Sequence, residues 1–184
     1  MSEASDSDAA LVERVLAGDR HAFAEMLRRH DHRLRGVAYK LLGGDPHRLD
    51  DVMQEAYVKA YRSLHRFRHD AELATWLYRV VYNACIDDLR RARHRPDPVD
   101  VGRLGRDQPT TEPGPERVVD AADQARRALA ALPEEQRATV VLVDGEGFDN
   151  VTAAGIMGVA PGTVASRLSR ARASMRRTLE EARP

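Results

Sequence analysis

The chain has 184 residues, with 29 Lys plus Arg and 29 Asp plus Glu, so its formal net charge is zero. That excludes a chain that adheres to polyanions everywhere, though not a local basic face, because net charge hides distribution. No run approaches the ~18 apolar residues of a membrane-spanning helix. The acidic start MSEASDSDAA has neither the basic residues nor the apolar stretch of a secretory signal. A single cysteine supports neither an intrachain disulfide nor a Cys-based zinc site. The expected location is therefore cytoplasmic, with no membrane contact of the chain's own.

Scarce aromatics, abundant Ala and Leu, and little β-branched alternation predict an all-α protein. Asp8 is the expected cap of a short first helix that Gly18 stops. Asp19 caps a longer one, with Phe23, Met26, Leu27, His30, Leu34, Val37, Ala38, Leu41 and Leu42 forming one buried stripe. Gly43-Gly44 ends it, and Asp45-Pro46 starts the next. There the stripe is Leu49, Val52, Met53, Ala56, Tyr57, Ala60, Tyr61, Leu64 and Phe67. After a polar loop at Arg68 to Ala71, a fourth helix runs from about Glu72 to Arg95 on Leu73, Trp76, Leu77, Val80, Val81, Ala84, Cys85 and Leu89.

Residues 96–117 change character: Pro96, Pro98, Pro109, Pro113 and Pro115 stand among Gly102, Gly105, Gly114 and several acids. Such a segment buries too little surface to order itself and reads as a flexible linker. Helices resume near Val118, with Ala122, Ala125, Leu129 and Leu132 as a stripe. Pro133 opens Glu134 to Val143. Asp149 caps a short helix ending near Met157, and Pro161-Gly162-Thr163 opens the last, on Val164, Leu168, Ala171, Met175 and Leu179. The expected organisation is two small helical domains, residues 1–95 and 118–184, joined by the linker at 96–117.

Three patterns carry chemistry. The short helix, the Gly158-Val159-Ala160 turn and the last helix form a helix-turn-helix. Gly158 supplies a left-handed turn, and amides at Gly162 or Thr163 are placed to meet a phosphate. Arg167, Arg170, Arg172, Arg176 and Arg177 follow with no acid between Pro161 and Thr178, the footprint of a helix in a major groove. Second, Asp50, Asp51, Gln54 and Glu55 share the polar side of a helix whose other side is core. That arrangement suits acid–base or metal work, a docking patch for a basic partner, or an ordinary solvated face. Third, Trp76, Tyr78 and Tyr82 precede Asn83 and the run Asp87-Asp88-Leu89-Arg90-Arg91-Ala92-Arg93. Rings followed by arginines suit a melted strand; core packing and the helix dipole account for them equally well. His65 and His69, four apart, have a metal-ligand spacing, but a polar loop interrupts it. Cys85 sits on an apolar stripe and reads as core.

Taken together, Asp50-Asp51-x-x-Gln54-Glu55-Ala56, the run Thr75 to Asp87, Leu132-Pro133 and Gly158 to Arg172 resemble the extracytoplasmic-function (ECF) sigma factors of the sigma-70 family. The resemblance spans about residues 9 to 180. It implies a σ2-like bundle and a σ4-like helix-turn-helix domain that direct RNA polymerase to promoters, with no catalysis and no cofactor. Its implied partners are core RNA polymerase (the β′ clamp and the β subunit), promoter DNA as duplex and as melted non-template strand, and an anti-sigma factor. Asp50, Asp51, Gln54 and Glu55 would face the polymerase. His65, Arg66, Arg68, His69, Asn83, Asp87, Arg90 and Arg91 would bind the −10 element, where a flipped base needs a pocket. Thr163, Ser166, Arg167, Ser169, Arg170, Arg172 and Arg176 would bind the −35 element. Two positions depart from the family pattern: Ala165, where a basic residue is common, and Gly155, a weak helix former inside a helix. The rival reading is a stand-alone helix-turn-helix regulator of duplex operators, which leaves the first half of the chain without a task. Brief proteolysis is expected to cut between Pro96 and Arg117 and yield two helical fragments on a denaturing gel; a resistant intact chain would contradict the linker.

Overall fold

The computed structural model of the chain describes residues 7–67, 72–94 and 121–181. These form eight α-helices: α1 (Asp8–Leu16), α2 (Arg20–Leu41), α3 (Pro46–Ser63), α4 (Leu73–His94), α5 (Ala121–Ala130), α6 (Glu134–Val140), α7 (Asn150–Met157) and α8 (Pro161–Glu181). A single 3₁₀ turn, Leu64–Arg66, follows α3, and a π turn, Val141–Gly145, extends α6. The expected linker, the loop at 68–71 and the start near Val118 lie outside the described residues. No described helix is long and apolar enough to cross a membrane.

The helix starts follow from local hydrogen bonding. Asp19 and Asp45 each accept two backbone N–H bonds from the first turn of α2 and α3, and Asp149 accepts one from Thr152 at 2.7 Å. These are donors that a helix start otherwise leaves unpaired. The cap of α1 is Ser7 and not Asp8: Ser7 Oγ accepts from the Ala10 amide at 3.2 Å. The Asp8 carboxylate instead meets His30 Nε2 at 3.1 Å and Arg29 at 3.6 Å, pinning α1 onto α2. Gly43 and Gly44 both take positive φ and let the chain reverse after α2.

The predicted stripes form the core of the first half, with Leu34, Val37, Met53, Ala56 and Ala84 fully buried. Two stripe assignments fail. Tyr61 is 45% exposed, stacked edge-on against Phe23 at 4.9 Å. In α5, Ala128 is buried and Ala125 exposed, while Leu129, and Leu132 just past the helix, pack with Leu168 and Ala171 of α8.

Residues from both halves share one core. Leu77, Tyr78, Val81 and Cys85 of α4 join Leu142, Ala153, Ile156 and Met157 in the same buried cluster. Tyr78 Oη donates to Glu146 Oε2 at 2.7 Å, and its ring meets Phe148 edge-on at 5.0 Å. Arg137 Nη1 donates to the Leu41 carbonyl at 3.0 Å, while Nη2 reaches the Ala130 and Leu132 carbonyls. Tyr78 and Tyr82 are thus packed inside and not offered for base stacking. Trp76 leans on Phe67 at 5.6 Å.

Cys85 is fully buried, and burial pushes its thiol from 9.0 up to about 12, with Asp88 adding to the rise. The neutral thiol is favoured in the fold. The stability this contributes is complete below pH 9.0 and is lost as the pH rises towards about 12. An aqueous thiol reagent at neutral pH is expected to leave Cys85 unmodified in the native protein and to label it fully in urea. Rapid native labelling would show that the α4 core opens readily.

Candidate nucleic-acid and polymerase interface

Helix α3 presents two polar sides. Asp50 and Gln54 border an apolar groove of about 650 Å³ floored by Phe23, Tyr57, Val58 and Tyr61. Asp50 is 78% exposed and accepts from Arg35 Nη1 at 2.7 Å. Arg35 also bonds Asp31 at 3.0 Å, and Tyr57 Oη donates to the same Asp31, so this rim is cross-braced between α2 and α3. Asp50, and after it Asp31, hold the Arg35 guanidinium more firmly charged. Asp51 and Gln54 are exposed. Among the described residues no group of three His, Cys, Asp or Glu side chains could hold a metal ion.

Glu55 is the exception within the acidic motif. One turn past Asp51, it points towards α4, accepting from Arg91 Nη2 at 2.6 Å and lying 2.9 Å from Lys59 Nζ. The Arg91 and Lys59 cations hold its carboxyl below the usual range. Lys59 also reaches Asp87 at 3.2 Å, Asp87 is 3.9 Å from Arg90, and Asp88 is clamped by Arg48 at 2.5 Å.

Beside this lattice lies a second hollow of about 410 Å³, lined by Lys59, Arg62, Ser63, Arg66, Val80 and Asn83. It combines a neutral amide, an apolar floor and three cations, a donor set for a base flanked by phosphates. Asn83 and Arg66 were legible in the sequence. Lys59, Arg62 and Ser63 were not among the sequence candidates; Arg62 lines the first groove as well, and Arg66 lies in the 3₁₀ turn after α3. Exposed His65 lies 3.3 Å from Arg66 Nε. Arg68 and His69 lie outside the described residues.

The helix-turn-helix closes as predicted, with Gly158 at φ 67°. Gly155 faces open space. The Thr163 amide is not free for a phosphate, since it bonds the Ala160 carbonyl at 2.9 Å. The arginines of α8 divide into two groups. Arg167 is 16% exposed and bonded to Glu135 at 2.6 Å, and Arg172 is bonded to Asp144 at 2.5 Å. Arg170, Arg176 and Arg177 are exposed, with no acidic partner among the described residues. Arg170 Nε donates to the Ser166 carbonyl at 3.3 Å. Ser166 and Ser169 are exposed beside it.

Comparison with known proteins fits this architecture. The family model for Sigma-70 region 2 matches residues 26–95, and that for Sigma-70, region 4 matches residues 122–175. The ECF RNA polymerase sigma factor SigM of Mycobacterium tuberculosis is 42% identical over 173 residues, covering 94% of this chain and 85% of that protein. The ECF RNA polymerase sigma-E factor of Escherichia coli is 34% identical over 90% of this chain and 91% of its own. Among solved structures, the sigma factor RpoE of Bartonella quintana, in complex with the anti-sigma factor NepR, superposes with a TM-score of 0.67 at 27% identity. That match covers 88% of this chain and 98% of the other. The chain belongs to the ECF sigma factors of RNA polymerase, and the stand-alone regulator reading falls away.

Proposed function

We propose that this sigma factor joins core RNA polymerase through α3 and reads promoters at two places. The hollow around Asn83 receives a base of the melted −10 non-template strand, and α8 reads the −35 duplex. The observation that carries the reading is the hollow itself: an amide over an apolar floor, with Lys59, Arg62 and Arg66 at its edge. Unstacking a base costs a few kcal/mol, and a fitted pocket with flanking cations offsets it. The polymerase β′ clamp meets exposed Asp51 and Gln54 and the adjoining apolar groove, and the β subunit is a second contact. Support for an anti-sigma partner comes from the RpoE relative, solved with NepR. Run-off transcription with core polymerase on a promoter library tests the whole reading; transcripts no different from core alone would overturn it.

In α8, Ser166, Ser169 and Arg170 share an exposed side and are the base readers, while Arg176 and Arg177, two turns on, hold phosphates. Arg167 and Arg172 brace the helix through Glu135 and Asp144.

Reversing charge at Asp51 together with Gln54→Ala is expected to weaken association with core polymerase, while the full-length variant still binds a −35 duplex. Loss of both activities in a folded variant would show that the patch is misassigned. Arg170→Ala should cost about 1–3 kcal/mol at the preferred −35 element and relax preference at one base pair. Arg176→Ala should instead weaken all sequences alike and lower the salt slope by about one unit. Titrations over −35 variants and salt concentrations separate the two; unchanged base preference in Arg170→Ala would mean a different side of α8 enters the groove.

A further inference from the structure

The two halves are joined by more than a shared core. Tyr78 Oη donates to Glu146 Oε2 at 2.7 Å, and Lys40 Nζ stands 3.9 Å from the other oxygen of that carboxylate. Arg137 crosses to the Leu41 carbonyl at 3.0 Å, and Gly43 leaves it the room, since a Cβ there would stand 3.2 Å from Nη1. Exposed Arg93, near the end of α4, reaches Glu134 of α6 at 3.2 Å. The fit carries a cost, because Arg137 Nε is buried with no acceptor among the described residues. We propose that this closed arrangement is the self-inhibited resting form of the free subunit, with Tyr78–Glu146 and Arg137–Leu41 as its latch, and that the halves must part before a promoter is read. This rests on the reading of α4 and α8 as the −10 and −35 readers.

Distance sets the requirement. Helix α4 packs on α7, and α7 on α8. Packed helix axes lie about 8–10 Å apart, which puts α4 and α8 on the order of 20 Å from each other. Arg167 of α8 is close enough to Tyr82, the neighbour of Asn83, to act on its hydroxyl. Elements ~25 base pairs apart stand about 85 Å apart on a straight duplex, at ~3.4 Å per base pair. A duplex that short, against a persistence length of ~150 base pairs, does not fold back to close the gap. The chain between His94 and Ala121 reaches about 90 Å when extended, at ~3.4 Å per residue, so the covalent connection permits the parting. Each reader keeps its own face in the closed form: Asn83 lines the hollow and Arg170 is exposed. What closure forbids is engaging both elements at once. Only the open fraction of chains does so, and the apparent affinity for a two-element promoter falls by that fraction.

The test bridges the halves. A full-length Arg93→Cys/Glu134→Cys chain is treated with a bis-maleimide that carries a short disulfide spacer; buried Cys85 does not compete. The bridge should form within one molecule. The bridged chain should bind a −35 duplex as the wild type does, yet give no run-off transcript with core polymerase at a promoter carrying both elements. Cutting the spacer with reductant should restore transcription to the unbridged level. A bridged chain that transcribes as well as the unbridged one, or cysteines that label singly but never bridge within a chain, would overturn the proposal. Tyr78→Phe is an independent arm, because it removes the hydroxyl and keeps the ring on Phe148. As holoenzyme at limiting sigma factor, its apparent affinity for a two-element probe should rise several-fold while binding of the free chain to a −35 duplex stays the same. An unchanged or weaker two-element affinity would overturn the latch. A wild-type holoenzyme that gives no promoter-selected transcript would instead refute the two-element reading, with the formation of the bridge still reporting the closed form.

Discussion

The packing of α4 between the two halves of the molecule is the constraint on which the rest depends. One 22-residue helix must contribute Leu77, Val81 and Ala84 to the first bundle and share Tyr78 and Tyr82 with the second half. It must also keep Asn83, Arg90 and Arg91 outward. These demands are met because the apolar positions recur at spacings of three and four while the polar ones fall between them. Any rotation of α4 that freed the tyrosines for solvent would carry Asn83 out of the hollow. The burial of Tyr78, with its hydroxyl bonded to Glu146, is therefore tied to the placement of the candidate base site.

Electrostatics in this fold depends more on pairing than on count. A chain of zero formal charge carries 27 arginines (29 basic residues less two lysines), yet many of those described are engaged by acids brought from elsewhere in the chain. Arg172 meets Asp144, 28 residues away; Arg167 meets Glu135, 32 away; Arg91 meets Glu55, 36 away. Exposed pairs of this kind add little to stability, ~0–1 kcal/mol each. What they change is which cations remain available to a polyanion. On α8 this leaves Arg170, Arg176 and Arg177, a narrower stripe than the bare sequence suggests.

Local signals were legible and long-range ones were not. Asp19, Asp45-Pro46, Asp149 and Gly158 mark their helix ends because caps and left-handed turns are decided within four residues. The apolar stripes of α2 to α4 and α8 follow from periodicity for the same reason. Asp8 was misread as a cap because its true partners, Arg29 and His30, lie 21 and 22 residues along, in the middle of the next helix. The Thr163 amide was misread because whether a helix-start donor is free depends on the exact turn before it. The Tyr78–Glu146 bond and the Arg137–Leu41 contact join residues 68 and 96 positions apart. No window of sequence contains them.

The acidic motif shows why proximity in sequence misleads about shared surroundings. Asp51 and Glu55 are one turn apart, and a helical wheel places them together. The neighbours of α3 separate them: α2 lies along one side and supplies Arg35 to Asp50, while α4 lies along the other and supplies Arg91 to Glu55. A helix held between two partners has its polar residues sorted by which partner they can reach. Side-chain length then decides the outcome. Glu55 has the extra methylene that carries its carboxylate across to α4, while the exposed Asp51 stays on the solvent side. The same few residues thereby face two different neighbours, α2 and α4, only a helix width apart.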